Sequence, residues 1–436
     1  MNIRQIALRI LDEYELGGKY INLALSTHAA DNLSREEKAA LTALLYTVVE
    51  RKLTYDYYIC AIAGRSDSDI DIHTKNILRL GFCQLLDMSS IPDFAAINET
   101  VKLARSNGER SFVNGILRAA QRRKNDLPMP SEAKNYKRYL SVKYSFPLDT
   151  VKHFDSLFGR EDTEALLKFY NEIKYTDITV NTTKISVTEY ISALSESGIE
   201  TASSPFGENS LRIDGSVNPE KLYGFSEGFF FVQDRASYAS ALTLDPKCGE
   251  TVIDVCSAPG GKSFCAAILM ENKGKIYSFD LHESKLSLIT SGRDRLGLDI
   301  VSVDALDARA PREELFGKAD RVICDAPCSG LGVLGKKPDL RYKDMASIRE
   351  LPALQLEILT ASSKYLRAGG TLVYSTCTLN PSENEDVVSA FLGEHPDFAL
   401  VPFKVGEISA ENGMLTLLPH KHGTDGFFMA KLYKRT

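Results

Sequence analysis

The chain has 436 residues, 44% of them hydrophobic and 25% charged, with 16 prolines, which excludes a disordered polymer and points to about three domains at ~150 residues each. A formal net charge of −6 and an isoelectric point near 5.8 exclude a generic polyanion binder, because phosphate contact relies on concentrated Lys and Arg; any nucleic-acid role rests on local patches. No window approaches the ~20 uninterrupted apolar residues of a membrane span, and the first residues mix charge with apolar side chains unlike a secretory signal, so a cytosolic location is expected.

From Ile3 to about Arg123 apolar residues recur at helical spacing (Ile3, Ile6, Ala7, Ile10, then Leu41, Leu44, Leu45, Val48), which predicts an all-α region. Pro92 and Asp93 mark a helix start, and Gly108 separates that helix from one over Ser111 to Arg123. Between Lys102 and Lys124 seven basic residues (Lys102, Arg105, Arg110, Arg118, Arg122, Arg123, Lys124) stand against one acid, Glu109, a basic face. After the link Asp126-Leu127-Pro128-Met129-Pro130, the residues Lys134, Tyr136, Lys137, Arg138, Tyr139, Lys143 and Tyr144 interleave charge with aromatics. That suits RNA, where phosphates pair and bases stack; a solvated helix with half-buried tyrosines is the competing reading. From Phe146 to about Gly224 a helix (Thr163–Tyr170), a β run (Thr179–Thr182), a second helix (Val187–Ser197) and short strands near Leu211-Arg212-Ile213 predict a small α+β insert.

After Asp234 strands and helices alternate: Thr251–Val255, a helix from Gly260, Lys275–Phe279, a helix from Glu283, Ile300–Val303, Arg321–Cys324, a long helix from Leu354 to Leu366, and Thr371–Tyr374. This predicts a parallel doubly wound sheet. Leu415–Leu418 and Phe427–Leu432 follow as an antiparallel hairpin at its edge.

In such a sheet the first strand-to-helix loop, Cys256-Ser257-Ala258-Pro259-Gly260-Gly261-Lys262, is where a cofactor's charged group meets loop amides and the positive end of a helix. A degenerate phosphate loop competes, since Gly261-Lys262-Ser263 ends like one, but Cys256 stands where its first glycine belongs. The second strand ends in Asp280, able to accept both ribose hydroxyls of an adenosine-type cofactor, or simply to cap the next helix. The third strand adds Asp304 and Asp307. Cys328, in Asp325-Ala326-Pro327-Cys328-Ser329-Gly330, and Cys377, in Ser375-Thr376-Cys377-Thr378, both fall just beyond the ends of strands, 49 positions apart. Their loops are rich in Gly, Pro, Ser and Thr, where a thiol can ionise and reach a substrate. Cys60, Cys83, Cys248 and Cys265 read as core or turn residues. With no C-x-x-C pair, and with His420 and His422 in a separate loop, neither a disulfide framework nor a metal site is expected.

Taken together these residues resemble the RNA cytosine-5 methyltransferases that use S-adenosylmethionine. The resemblance covers roughly the whole chain. The C-terminal half carries D-V-C-S-A-P-G-G-K, F-D, D-A-R, D-A-P-C-S-G, S-T-C-T with a trailing N-P-S-E-N-E, and G-F-F-M-A-K. The N-terminal half, with R-L-G-F-C-Q-L-L, I-P-D-F-A-A-I-N-E-T and F-V-N-G-I-L-R, looks like the RNA-binding helical domain of the antitermination factor NusB. The implied fold is multidomain. It comprises an all-α NusB-like RNA-binding domain over 1–127, a linker and small α+β, RRM-like RNA-binding subdomain over 128–232, and an α/β Rossmann-like class I methyltransferase domain with the antiparallel edge hairpin over 233–436.

The resemblance implies methylation of carbon 5 of a cytosine in 16S ribosomal RNA, at cytosine 967, with Cys377 as nucleophile and Cys328 helping to remove the carbon-5 proton or expel Cys377. It implies Asp325 on the cytosine edge and Lys262 against the target nucleotide or the Asp325 carboxylate. The cofactor, S-adenosylmethionine, is expected on Cys256, Ser257, Ala258, Pro259, Gly260, Gly261 and Lys262, with Asp280 at the ribose, Asp307 rather than Asp304 at the adenine, and Asp325 bordering the same site. The implied partner is small-subunit ribosomal RNA, naked or in an early assembly particle, and the implied state is a monomer. Transfer RNA or another ribosomal site as substrate, and a non-catalytic antitermination or ribosome-assembly factor, are the rival readings. A DNA cytosine methyltransferase lacks support because no E-N-V follows the P-C cysteine.

Overall fold

The amphipathic pattern of the N-terminal third folds as helices in the computed structural model, which describes residues 2–18, 21–28, 33–172, 175–215 and 217–436. Contacts divide the chain into two compact units, Met1–Asn171 with Leu334–Lys343, and Glu172–Val333 with Asp344–Thr436.

The first unit contains α1 (Ile3–Gly17), α2 (Ile21–His28), α3 (Arg35–Ala63), α4 (Ile72–Leu86), α5 (Asp93–Val101), α6 (Asn107–Arg122), α7 (Tyr136–Tyr144) and α8 (Leu148–Glu172, interrupted at Gly159). Ile6, Ile10, Leu41, Leu44, Leu45 and Val48, the residues that set the sequence period, enter one core with Ile77, Leu80, Val113 and Leu117. Side chains three and four apart share a helix face, which is why the periodicity locates this core. α4 is buried from Thr74 to Leu85 and is flanked by α1, α3, α5 and α6. Its Arg79 is charged and buried, and is matched by Asp56 (2.7 Å) and Glu15 (2.9 Å). Segment Leu334–Lys343, distant in sequence, also packs in this unit: buried Arg341 donates to the Glu50 carbonyl (3.2 Å) and lies over the Phe146 ring, while the Tyr342 hydroxyl donates to the Val49 carbonyl (2.7 Å).

In the second unit β1 (Tyr175–Val180), α9 (Val187–Glu196), β2 (Thr201–Ser204), β3 (Gly207–Asp214) and β4 (Phe230–Val232) form a small antiparallel sheet, order β2-β3-β1-β4, beneath one helix. The strand expected over Thr179–Thr182 runs earlier, because at Asn181 the chain turns: its side-chain oxygen accepts from the Thr183 amide and hydroxyl.

The large sheet follows through α10 (Arg235–Leu244), β5 (Thr251–Asp254), α11 (Gly261–Leu269), β6 (Lys275–Asp280), α12 (Glu283–Leu296), β7 (Val301–Ala305), β8 (Ala319–Asp325), α13 (Leu351–Ser363), β9 (Leu366–Thr376), α14 (Glu385–Glu394), β10 (Phe398–Leu400), the short pair β11 (Phe403–Val405) and β12 (Ile408–Ala410), β13 (Met414–Leu417), α15 (Pro419–His422) and β14 (Phe427–Lys434). Its order is β10-β14-β9-β8-β5-β6-β7; β5 to β9 run parallel, and β14 runs antiparallel to β9, β10 and β13. Successive strand residues point to opposite faces. Ile253, Val322 and Leu372 accordingly join the core of α13 and α14, whereas Val252, Ile323 and Val373 join that of α10 and α11. Both faces are covered, and the carboxyl ends of β5, β6, β8 and β9 form one rim.

Candidate active site

The loop after β5 is shaped by its own hydrogen bonds. The Ser257 amide and hydroxyl donate to the Phe279 carbonyl (2.8 and 3.0 Å), and the Ala258 amide donates to Asp280 Oδ2 (3.1 Å). Gly260 sits at φ +109°, and a Cβ there would lie 2.4 Å from the Phe264 ring, so only glycine fits. The amides of Ser257, Ala258 and Gly260 are taken up within the protein, and Pro259 has none. Among the described residues the amides of Gly261, Lys262 and Ser263, the first turn of α11, have no carbonyl partner. They form the positive helix end next to a cavity of about 120 Å³ lined by Asp254, Cys256, Ser257, Gly261, Lys262 and Asp325.

Asp254, fully buried at the end of β5, accepts from the Ser263 hydroxyl through Oδ2 (2.7 Å), and Ser263 accepts from Ser278 (2.6 Å). Among the described residues Asp254 Oδ1 has no partner. Burial pushes the carboxyl pKa up to about 7. An unsatisfied acceptor facing a small polar cavity calls for a donor, ideally a cationic one. The ammonium of an amino-acid moiety meets that requirement and the helix end meets its carboxylate, so these residues fit S-adenosylmethionine. The motif reading missed Asp254, for which Asp followed by an apolar residue at a strand end was the available signal.

Asp280 accepts the Ala258 amide at one oxygen and the His282 amide at the other (both 3.1 Å). A carboxylate has about four acceptor positions, so both oxygens keep capacity for a diol. Asp304 and Asp307 are arranged differently: Asp304 is bonded to Arg312 and Asp307 is paired with Arg309 (2.6 Å), both near the surface. None of Asp280, Asp304 and Asp307 lines the cavity around Asp254 itself.

The two cysteines meet. Asp325 of β8 is in register with Ser375 of β9, so Cys328, three residues beyond the first, and Cys377, two beyond the second, emerge at the same level of the rim. Their sulfurs are 3.3 Å apart. The hydrogen bond with the Cys377 thiol, followed by burial, raises the Cys328 pKa well above that of a free thiol. Asp325 stands beside them, accepting from Lys262 Nζ (2.7 Å) and the Ser375 hydroxyl (2.7 Å), with Lys262 over the Phe427 ring. Of the two positions expected for Lys262, the structure pairs it with Asp325.

Both cysteine loops are tied by residues of the N-P-S-E-N-E segment. Buried Glu383 accepts from the Ser329 amide (2.8 Å), from Gln355 Nε2 (3.0 Å) and from Asn380 Nδ2 (3.0 Å), and its carbonyl accepts from the Tyr374 hydroxyl (2.6 Å). Asn384 accepts from the Thr376 hydroxyl (2.5 Å) and donates to the Thr378 carbonyl (3.1 Å), and the hydroxyls of Ser329 and Thr378 are 2.6 Å apart. The sequence shows this acidic segment without showing that it reaches the cysteine loops. In the first unit, the basic and aromatic run after Lys134 is partly matched by acids of α8: Tyr136 bonds Asp155, Lys137 pairs with Asp155 (2.6 Å) and Lys143 with Glu164 (2.9 Å).

A doubly wound sheet whose first loop fits S-adenosylmethionine, with two thiols at the ends of neighbouring strands, defines a methyltransferase. The 16S rRNA methyltransferase RsmB/F family matches residues 241–433, the NusB family residues 1–122, and the RsmF/B-like ferredoxin-like domain residues 147–220. The chain is 36% identical to a probable ribosomal RNA small subunit methyltransferase B of Bacillus subtilis, covering 100% of this chain and 99% of that one. It is also 36% identical to one of Synechocystis, covering 100% of both. Among solved structures, NSun6 from Pyrococcus horikoshii with SFG is 27% identical over 67% of this chain and 99% of that chain, with a TM-score of 0.60. The chain belongs to the ribosomal RNA small subunit methyltransferase B family, whose cofactor is S-adenosylmethionine.

Proposed function

We propose that the protein methylates carbon 5 of one cytosine in small-subunit ribosomal RNA, by the family resemblance cytosine 967, through a covalent cysteine–cytosine adduct. The observation that carries this reading is the 3.3 Å separation of the Cys328 and Cys377 sulfurs beside Asp325, because the reaction needs a nucleophile and a second group at adjoining ring carbons. S-adenosylmethionine, held by the first turn of α11, Asp254 and Asp280, supplies an electrophilic methyl group. The Cys377 thiolate adds to carbon 6, forming an S–C bond and moving ring electrons toward carbon 5. Asp325, oriented by Lys262 and Ser375, bonds the cytosine edge and favours proton gain at the ring nitrogen as the adduct forms. Carbon 5 gains the methyl group as the bond from the methyl carbon to the cofactor's sulfonium sulfur breaks, leaving a neutral thioether. Cys328 helps to remove the carbon-5 proton or to expel Cys377, the electron pair of the broken C–H bond returns to the ring, and the Cys377–carbon-6 bond breaks to release the Cys377 thiolate. The target base has to be unstacked for this.

The reading includes residues 1–127 as RNA address, 128–232 as linker and RNA-binding subdomain, and 233–436 as the catalytic domain of a cytoplasmic monomer acting on free or early-assembling RNA. The test is methyl transfer from tritiated S-adenosylmethionine to unmodified small-subunit RNA. Wild type transfers, Cys377→Ala does not, and Cys328→Ala accumulates a denaturation-resistant protein–RNA adduct. Wild type that binds this RNA yet transfers nothing to it, to transfer RNA or to immature particles would replace the enzyme reading with that of a binding factor.

A further inference from the structure

The helical unit carries one face whose cations are not matched by acids. α6 buries Val113, Ile116, Leu117 and Ala120, and the opposite face shows Arg110, Ser111, Asn114, Gly115, Arg118 and Arg122, followed by Arg123. Arg110, Asn114, Arg118 and Arg122 recur every fourth residue, so each step turns the row by only ~40°. The helix's one acid, Glu109, points elsewhere, bonding Thr74 and Arg105. Other cations of this basic stretch are paired: Lys102 with Glu99 (2.5 Å), Arg105 with Asp71 and Glu109 (both 3.1 Å), Lys124 with Asp93 (3.1 Å). Among the described residues Arg110, Arg118, Arg122 and Arg123 have no carboxylate partner; Arg110 and Arg118 bond only the side-chain oxygens of Asn107 (3.4 Å) and Asn114 (3.0 Å).

A large aromatic side chain stands at the same end. Phe94, in the first turn of α5, is 69% exposed, and its neighbour Asp93 accepts from Lys124 (3.1 Å) and Gln121 (3.4 Å), which sets that turn beside the end of α6.

We propose that this face, Arg110, Arg118, Arg122 and Arg123 with Phe94, docks single-stranded or looped RNA. The arginine forks bind successive phosphates and Phe94 stacks an unpaired base. In a protein of net charge −6, an acid-free row of arginines is where a polyanion meets least repulsion. The face has one aromatic among Ser, Asn and Gly and lacks the apolar stripe a bilayer requires, which favours RNA over a membrane. The proposal rests on small-subunit RNA being the substrate and names the surface that grips it.

The test measures affinity of the full-length protein for small-subunit RNA fragments against salt. Arg118→Gln/Arg122→Gln/Arg123→Gln keeps helix propensity and weakens binding about tenfold or more, with the slope of log affinity against log salt smaller by about two, from ~0.7 per lost phosphate contact. Phe94→Ala weakens binding about fivefold or more. The charge-matched control is Arg9→Gln/Lys247→Gln/Lys273→Gln, exposed cations each paired with an acid, and it binds as wild type. Equal affinity of the triple variant and wild type, equal weakening by the control, or no RNA binding by wild type would each overturn the proposal. Wild type that binds through this face and transfers no methyl group overturns the assigned reaction and leaves the surface standing.

Discussion

Replacing Asp254 by Asn isolates the cost of an unpaired buried carboxylate. The side chain is fully buried, one oxygen is unpartnered, and its pKa rises from 3.8 to about 7. The protonated form is therefore favoured by folding. That contribution is fully present below the unfolded pKa of 3.8 and is lost as pH rises through about 7. A rise of about three pH units at 1.36 kcal/mol each makes the ionised group cost about 4 kcal/mol above pH 7. Asn keeps the acceptor for Ser263 and cannot ionise, so relative to wild type it gains about 1.4 kcal/mol per pH unit between about pH 4 and 7 in cofactor-free protein. Cofactor binding reverses the advantage. An ammonium at Oδ1 requires the carboxylate, so wild-type affinity for S-adenosylmethionine falls up to about tenfold per pH unit below pH 7, while that of Asp254→Asn is weaker and flat with pH. Urea melts at pH 5 and pH 8, with and without cofactor, and titration calorimetry across the same range read both effects. Parallel pH profiles for the two proteins, in stability or in affinity, would refute the reasoning.

Three further outcomes follow from the site. Lys262→Met removes the cation 2.7 Å from Asp325 and leaves that carboxylate free to turn from the base, so kcat in the methyl-transfer assay drops about 100-fold with a smaller change in cofactor affinity; an unchanged kcat removes Asp325 orientation from the mechanism. Glu383→Gln replaces a buried acceptor of three donors by a group that presents an NH₂ to at least one of them, costing about 2–4 kcal/mol in denaturant unfolding and lowering kcat, with Asp the partial rescue; full activity would show that the cysteine loops keep their places unaided. Gly260→Ala sets a Cβ 2.4 Å from the Phe264 ring at φ +109°. It destabilises by about 1–3 kcal/mol and weakens cofactor binding in calorimetry, and wild-type affinity would mean that the loop relaxes without loss.

Local pattern determined the order and kind of the elements. The helical period of Ile6, Ile10, Leu41, Leu44, Leu45 and Val48 lies in the core of the first unit, and alternating strands and helices after Asp234 form the large sheet, because burial of one face imposes its period on the residues that make it. The Gly- and Pro-rich loops around Cys328 and Cys377 likewise announce strand ends in the sequence itself. What distinguishes this site came only with tertiary structure. The sulfur separation depends on the register of β8 with β9, the isolation of Asp254 on what its neighbours leave unpaired, and the bonding of Glu383 to Ser329 on the chain folding back across 54 positions. Charge partners were hidden for the same reason: Lys137 and Lys143 stand in a basic and aromatic run in the sequence, and only the fold brings Asp155 and Glu164 of α8 beside them. Nothing in residues 334–343 foretells that Arg341 and Tyr342 pack with Glu50 and Val49 of α3. A sequence carries each side chain's chemistry, but its partners come from distant parts of the chain, and a buried or matched charge acquires its energy from them.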